Sequence, residues 1–134
     1  MTARSLFVML PVALWVGGCA GLTKNHAQTS PAHDDPTLRT RYVSRAYDPV
    51  FEAALEAVRT LPRWKIVGQE RVTGSIRAER QTRLFKFVDD VRIEITQSDD
   101  GKIAVNLSSQ SRVGKGDFGQ NARNIREFLA AFSP

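Results

Sequence analysis

Two aspartates stand side by side in residues 85–95, FKFVDDVRIEI, a segment that otherwise alternates like a β-strand. Neighbouring carboxylates can share a proton as a catalytic pair or ligate one metal ion. Side chains alternate between the two faces of a sheet along a strand, so we expect Asp89 and Asp90 to point to opposite sides. The sequence therefore predicts neither a catalytic pair nor a metal site here, and we expect no cofactor.

The following turn fixes the expected neighbours of Asp89. Residues 99–101, Asp-Asp-Gly, fit a three-residue hairpin loop. Counting back from this loop pairs Ile95 with Val105 and Asp89 with Ser111, so that inward positions meet inward positions. The apolar residues on the Asp89 face are expected to be buried: Phe85, Phe87, Val91, Ile93 and Ile95.

A polar cluster is expected where the last strand meets the last helix. Because an inward carboxylate is costly unless donors satisfy it, we predict that Asp89 is a structural carboxylate. Its expected donors are Ser111, the backbone of the Gly114 loop, and Asn121 or Arg123. Ligand binding by the same residues is the alternative. The cluster comprises Asp89, Asp90, Ser109, Ser111, Arg112, Gly114, Asp117 and Asn121.

The opposite face of the sheet is expected to be open, polar and net basic. In the predicted register Arg112 lies diagonal to Asp90, and Glu79 on the preceding strand joins them. We interpret this face as a solvated surface with mixed ion pairs, and a site for an anionic partner is the alternative. The basic residues assigned to it are Arg77, Arg83, Lys86 and Arg92.

Five strands and two helices are needed to position these residues. Strands are predicted over residues 41–47, 64–70, 73–81, 84–97 and 102–113. The first helix is expected to begin at an Asp48 N-cap, with Pro49 in its first turn, and to end before Pro62. The last helix, capped by Asp117, is expected to bury one apolar stripe: Phe118, Ala122, Ile125, Leu129 and Phe132. The order β-α-β-β-β-β-α predicts an α+β two-layer sandwich, an antiparallel sheet with both helices on one face.

The amino terminus has the form of an export signal. Arg4 precedes an apolar run of 11 residues, 6–16, which is too short to span a bilayer. Residues 16–19, Val-Gly-Gly-Cys, resemble a bacterial lipobox. We predict that residues 1–18 are removed and that Cys19, the only cysteine, is acylated, since two or three acyl chains anchor a protein stably. Ala20 in place of Asp implies the inner leaflet of the outer membrane, facing the periplasm.

Composition and organisation exclude several functions. The formal charge is +5, but basic and acidic residues are interspersed, so we expect no nucleic-acid partner. Residues 19–38, which hold both histidines (His26 and His33), are predicted to be a flexible tether, and residues 39–134 a single domain. That domain has no Cys or His, so a serine nucleophile would lack its usual base. We therefore predict no enzyme; a carboxylate-based hydrolase is the remaining catalytic alternative.

Two blocks of the sequence resemble the signature of a known family. They are residues 82–95, TRLFKFVDDVRIEI, and residues 107–129, LSSQSRVGKGDFGQNARNIREFL. The family comprises small proteins of bacteria and plastid-bearing organisms and is catalogued only as a domain of unknown function. The matching residues are Thr82, Arg83, Phe87, Asp89, Asp90, Ser109, Ser111, Arg112, Gly114, Asp117, Gly119, Asn121 and Arg123 or Arg126. The resemblance implies a domain boundary and an important polar cluster, and it implies no reaction.

The sequence thus predicts a lipid-anchored, periplasm-facing and non-catalytic interaction domain that binds an envelope protein or another envelope component. The alternative is a binder of a small anion or an anionic envelope polymer. In that alternative Arg112 and the start of the last helix hold the anion.

Overall fold

The computed structural model describes residues 24–114 and 116–134. Its strands are β1 (His26–Gln28), β2 (Arg41–Val43), β3 (Trp64–Glu70), β4 (Ser75–Gln81), β5 (Val88–Gln97) and β6 (Ile103–Ser111). Its helices are α1 (Tyr47–Thr60), α2 (Gln120–Ala131) and a short 3₁₀ helix, Pro36–Leu38. The sheet is antiparallel in the order β1-β6-β5-β4-β3, and β2 also pairs with β6. The predicted α+β class and antiparallel sheet are confirmed. Within the described residues, no helix combines the length and apolar character that crossing a bilayer requires.

The hairpin of β5 and β6 has the predicted register. Ile95 lies opposite Val105 and Asp89 lies opposite Ser111. The loop closes through the Ser98 N–H, which donates to the Lys102 carbonyl at 2.8 Å. Asp89 is 1% exposed, whereas Asp90 is exposed on the other face of the sheet. The prediction that the two carboxylates point to opposite sides is confirmed.

The hydrophobic core lies between the sheet and the two helices. The alternating residues Val91, Ile93 and Ile95 of β5 are buried there. Helix α1 contributes Phe51, Leu55 and Val58, and α2 contributes Ile125, Phe128 and Leu129. These helical residues recur at the three- and four-residue spacing of one helix face, which is why each helix packs on the sheet.

Helix α1 does not begin with the predicted cap. Ala46 is the N-cap residue and makes no side-chain cap bond. Asp48 lies inside the first turn instead, where a carboxylate is favoured by the helix dipole and accepts a 3.0 Å hydrogen bond from Arg71. The predicted N-cap at Asp48 is therefore wrong by two positions.

Residues 24–38, predicted as part of a flexible tether, are packed on the domain. Ala27 in β1 lies opposite Ser109 of β6, and the Thr29 N–H donates to the Leu107 carbonyl at 2.8 Å. Leu38 is 6% exposed and belongs to the core. Backbone hydrogen bonds to a sheet edge require no apolar periodicity, so the composition of this segment gave no sign of its pairing. Cys19, the predicted signal segment and residues 20–23 lie outside the described residues.

Residues 82–87 form a loop rather than the start of β5. The Thr82 N–H donates to the Phe87 carbonyl at 2.7 Å, and the Phe87 N–H donates to Thr82 Oγ1 at 2.9 Å. Lys86 has a φ of 52°, which breaks the extended backbone. Phe85 and Phe87, predicted to be buried, are 73% and 46% exposed, because the loop removes them from the alternation of the strand.

The amino-terminal end of α2 also differs from its prediction. Gly119, with a φ of 78°, is the N-cap residue, and the helix begins at Gln120. Phe118 was expected to start the buried stripe but precedes the helix, has a φ of 50° and is 75% exposed. Phe128 fills the fully buried position on the core face of the helix instead.

Candidate functional site

A buried polar cluster fastens α2 to the sheet. It consists of Asp89 on β5, Ser109 on β6, and Asn121 and Asn124 on α2, each at most 1% exposed. The Asn124 Nδ2 group donates to Asp89 Oδ2 at 2.8 Å and to Ser109 Oγ at 3.1 Å. Ser109 Oγ donates in turn to Asn121 Oδ1 at 2.7 Å. The cluster supplies the hydrogen bonds without which a buried carboxylate and two buried amides would be costly.

The donor to Asp89 is Asn124, which sequence reasoning missed. Ser111 and Asn121, two of the predicted donors, bond to each other at 2.9 Å and make no hydrogen bond with Asp89. Arg123, the other candidate, donates to the Phe118 carbonyl. Asn121, Asn124 and Glu127 recur every third residue along α2, and that spacing on a core-facing stripe was the available signal.

Asp117 holds the start of α2. One of its oxygens accepts from the Gly119 N–H, and the other accepts from the Asn121 N–H, both at 2.8 Å. Its carboxylate therefore satisfies two of the free N–H groups at the helix start, although Gly119 is the N-cap residue. The Gln120 side chain does not reach back as in a capping box and donates instead to Asn124 Oδ1 at 2.7 Å.

The polar stripe of α2 continues toward the far edge of the sheet. Arg80 on β4 is 8% exposed and forms an ion pair with Glu127, with Nε 3.4 Å from Oε2. The Trp64 indole N–H donates to the same Glu127 oxygen at 3.2 Å. Within the part of the chain that the structure describes, every side-chain nitrogen and oxygen that is fully closed off from solvent has a hydrogen-bond partner. The polar residues beneath α2 thus attach the helix to the sheet from Asn121 to Glu127.

A cavity of about 530 Å³ opens beside this cluster, between the 82–87 loop, the loop that follows β6, and the start of α2. Its polar lining includes Asp89, Ser111 and Asp117. Its outer wall, here called the apolar rim, consists of Leu84, Phe85, Phe87, Val113 and Phe118. All five rim residues are exposed, from 46% for Phe87 to 84% for Leu84. The site is therefore a cleft with apolar walls and a polar inner end.

Arg112 lies on the other face of the sheet and is paired there. Its Nε donates to Asp90 Oδ2 at 2.9 Å, and its Nη2 donates to Asp90 Oδ1 and to Glu79 Oε1, each at 2.6 Å. These hydrogen bonds, first that to Asp90 and then that to Glu79, raise the pKa of Arg112 above its already high ordinary value. The predicted ion pairing on the open face is present. Arg112 and the start of α2 do not converge on one site, because they lie on opposite sides of the sheet.

The predicted basic face is divided between two places. Arg77 and Arg92 lie opposite each other on β4 and β5. Arg83 and Lys86 lie in the 82–87 loop rather than on a strand, and Arg83 lines the cavity. Gly114 lies beside the chain entry, where its carbonyl accepts from Asn25 Nδ2 at 3.3 Å.

Across residues 24–114 and 116–134, no group of three or more His, Cys, Asp and Glu residues is placed to hold a metal ion.

Comparison with known proteins identifies a family but no activity. A family model described as "Protein of unknown function (DUF1499)" matches residues 21–132. The match confirms the resemblance to a family of unknown function, and it includes the residues that form β1. The crystal structure of TTHA0849 from Thermus thermophilus is similar with a TM-score of 0.39 and 10% sequence identity, over 80% of this chain and 93% of that chain. No curated protein matches the chain.

Proposed function

The chain belongs to the DUF1499 family of proteins of unknown function, and we propose that it is a lipid-anchored, periplasm-facing and non-catalytic domain that binds an apolar ligand in the cavity beside Asp89. The composition of the cavity carries this proposal. Small-molecule sites are clefts of about 300–1,000 Å³ with mostly apolar walls and a few polar groups that orient the ligand. A cavity of about 530 Å³ with an apolar rim and a polar inner end has that form.

The inner end of the cavity indicates the polar part of the ligand. Asp89 Oδ2 accepts from Asn124, and no described residue donates to its second oxygen. Ser111 Oγ accepts from Asn121, which leaves the hydroxyl proton able to donate. The site therefore suits an apolar molecule whose polar end carries a hydrogen-bond donor, an amine or a hydroxyl.

The carboxylates support binding rather than catalysis. Carboxylate-based hydrolysis requires two acidic groups on either side of the reacting bond. Asp117 lines the cavity, but both of its oxygens accept hydrogen bonds from the first turn of α2. Asp90 lies on the opposite face and pairs with Arg112. Of the two carboxylates in the described cavity lining, Asp89 is therefore the one that accepts no hydrogen bond from the start of α2.

Two matched amphiphiles test the binding proposal. Dodecylammonium and dodecyltrimethylammonium carry the same charge and chain, but only the first has N–H donors. We expect calorimetric titration below the micelle concentration, with a chain that begins at residue 20, to show tighter binding of dodecylammonium. Leu84→Ser should weaken it at least about tenfold, because a Leu side chain that the ligand buries contributes about 1.5–3 kcal/mol. Val72→Ser, at a 93% exposed position outside the cavity, should not weaken it. Equal affinity for both amphiphiles and both variants would refute the site.

The lipid anchor is supported by residues 16–19, which place the only cysteine at the acylated position of a lipobox. We expect the full-length protein to incorporate radiolabelled palmitate and to sediment with membranes, and Cys19→Ser to lose the label. Ala20→Asp should keep the label and move the protein to the inner-membrane fraction of a density gradient. A labelled Cys19→Ser protein, or an unlabelled natural one, would show that Cys19 is not acylated.

A further inference from the structure

The apolar rim lies at the end of the domain where the chain enters from Cys19. The Lys24 carbonyl accepts from the Asp117 N–H at 3.2 Å, and the Asn25 carbonyl accepts from the Ser111 N–H at 2.9 Å. Asp117 and Ser111 both line the cavity. The chain therefore reaches the domain beside the cavity rather than at the distant turns that join β3 to β4 and β5 to β6.

The chain that links this entry to the predicted anchor is short. Lys24 lies five residues after Cys19. An extended chain spans at most about 3.3–3.6 Å per residue, so the link reaches about 18 Å at most. An acylated Cys19 sits at the headgroup level of a bilayer, and this length keeps the rim end of the domain close to that surface.

The apolar rim is a contiguous exposed surface. Its five residues surround one cavity, and the aromatic rings of Phe85 and Phe87 stack with centroids 5.5 Å apart. Soluble surfaces carry single exposed apolar residues routinely, whereas a cluster rimmed by polar groups marks a contact surface. Other large exposed apolar residues of the described chain are dispersed: Tyr42 is on β2, Val67 is on β3, and Val72 is in the β3–β4 turn.

The charges around the rim complement anionic headgroups. Arg83 and Arg123 line the cavity and are exposed, and Lys24 is exposed at the chain entry. The carboxylates of the described cavity lining are Asp89, which is buried, and Asp117, which is bonded to α2. Exposed cations beside apolar side chains are the composition of a surface that adsorbs to an anionic membrane.

From the entry point, the link length, the rim and its charge, we propose that the apolar rim docks onto the bilayer that holds Cys19, so that the cavity opens at the membrane surface. This inference rests on the lipid anchor of the proposed function. It also names the source of the ligand, because a cavity that opens at the headgroups is filled from the membrane. The ligand is then a membrane amphiphile with an amine or a hydroxyl at its polar end.

Tryptophan substitutions at the two ends of β4 test the docking. Leu84 follows β4 and is 84% exposed, and Val72 precedes it and is 93% exposed. The full chain is produced in cells, so that it is exported and acylated, and the mature lipoprotein is reconstituted into vesicles of phosphatidylethanolamine and phosphatidylglycerol. Removal of residues 1–18 removes Trp15, so Trp64, which is 9% exposed, provides the background emission of the mature natural protein.

Brominated acyl chains quench a tryptophan that enters the apolar boundary. We expect Leu84→Trp to lose about half of its added emission, because rim side chains would lie about 5–10 Å into the interface, and Val72→Trp to lose none. Replacing phosphatidylglycerol by phosphatidylcholine should reduce the quenching. The inference would be overturned if the emission of Leu84→Trp were not quenched, which is the result expected if the rim binds a protein partner rather than the bilayer. Equal quenching of both variants would also overturn it.

The mass of the amino-terminal peptide separates this failure from failure of the anchor. A peptide that carries acyl chains on Cys19, together with unquenched Leu84→Trp, refutes the docking and leaves the anchor standing. A peptide without acyl chains refutes the anchor itself, and with it the docking.

Discussion

Removing the carboxylate of Asp89 should destabilise the domain far more than removing its neighbour. Asp89 is 1% exposed and accepts a 2.8 Å hydrogen bond from Asn124, which itself is fully buried. Net hydrogen bonds to charged groups contribute about 1.5–3 kcal/mol, and an abandoned buried donor adds to the loss, so Asp89→Ala should cost about 2–4 kcal/mol. The Asp90 side chain is 54% exposed, and Asp90→Ala should cost under about 1 kcal/mol.

The measurement is urea unfolding of a chain that begins at residue 20, followed by the fluorescence of Trp64, its only tryptophan, which is packed against Phe128 in the core. With a slope of about 2 kcal/mol per molar urea, a loss of about 3 kcal/mol lowers the midpoint by about 1.5 M. A double-mutant cycle with Asn124→Ala isolates the pair, and we expect a coupling energy of about 1.5–3 kcal/mol. Equal midpoints for the two alanine variants, or a coupling near zero, would show that Asp89 does not fasten α2.

Two further outcomes follow from local geometry. Hydrogen bonds from Thr37, and then Arg126, hold the pKa of Asp35 at about 2, below its ordinary 3.8. A carboxyl group whose pKa is lowered by folding stabilises the fold at pH values above its ordinary pKa. That stabilisation is lost as the pH falls toward 2. Thermal unfolding should therefore show Asp35→Asn to be less stable at neutral pH and equal to the natural protein near the lowered pKa; an unchanged difference would contradict this. In urea unfolding, Gly101→Ala should cost about 1–2 kcal/mol, and Gly74→Ala should cost more. Both glycines have positive φ, but a Cβ at Gly74 would meet a β5 carbonyl oxygen at 2.0 Å and one at Gly101 would meet nothing within 4 Å; equal costs would contradict the close approach.

The sequence predicted correctly those elements in which the alternation of apolar residues and the turn residues indicate the same register. Residues 99–101 fix the loop between β5 and β6, and alternation then determines every pair down to Asp89 and Ser111. The same alternation failed at Phe85 and Phe87, since residues 82–87 keep the apolar pattern while the backbone turns at Lys86. An alternating pattern cannot reveal a positive φ at a residue that is not glycine.

The sequence predicted which strands and helix hold the polar cluster but not which side chain donates to Asp89. Ser109 and Asn121 do meet Asp89 in one cluster, because strand register and helix position place them there. Asn124 was missed because residue type alone does not distinguish a buried amide from a solvated one, and its only signal was its spacing of three residues from Asn121. The cavity was missed because the apolar pattern placed Leu84 in β5 and Phe118 in α2, whereas both residues lie in loops that hold them outward.

The edge of β6 is shared by two short strands that precede α1. Residues Arg41–Val43 pair with one half, and residues His26–Gln28 pair with the other half, at Ser108–Gln110. A protein shortened to begin at residue 39 would keep β2 and lose β1. The half of β6 that pairs with β1 would then have unpaired backbone groups. Unpaired edges recruit strands from other molecules. By covering this half of β6, β1 therefore also protects the domain from aggregation.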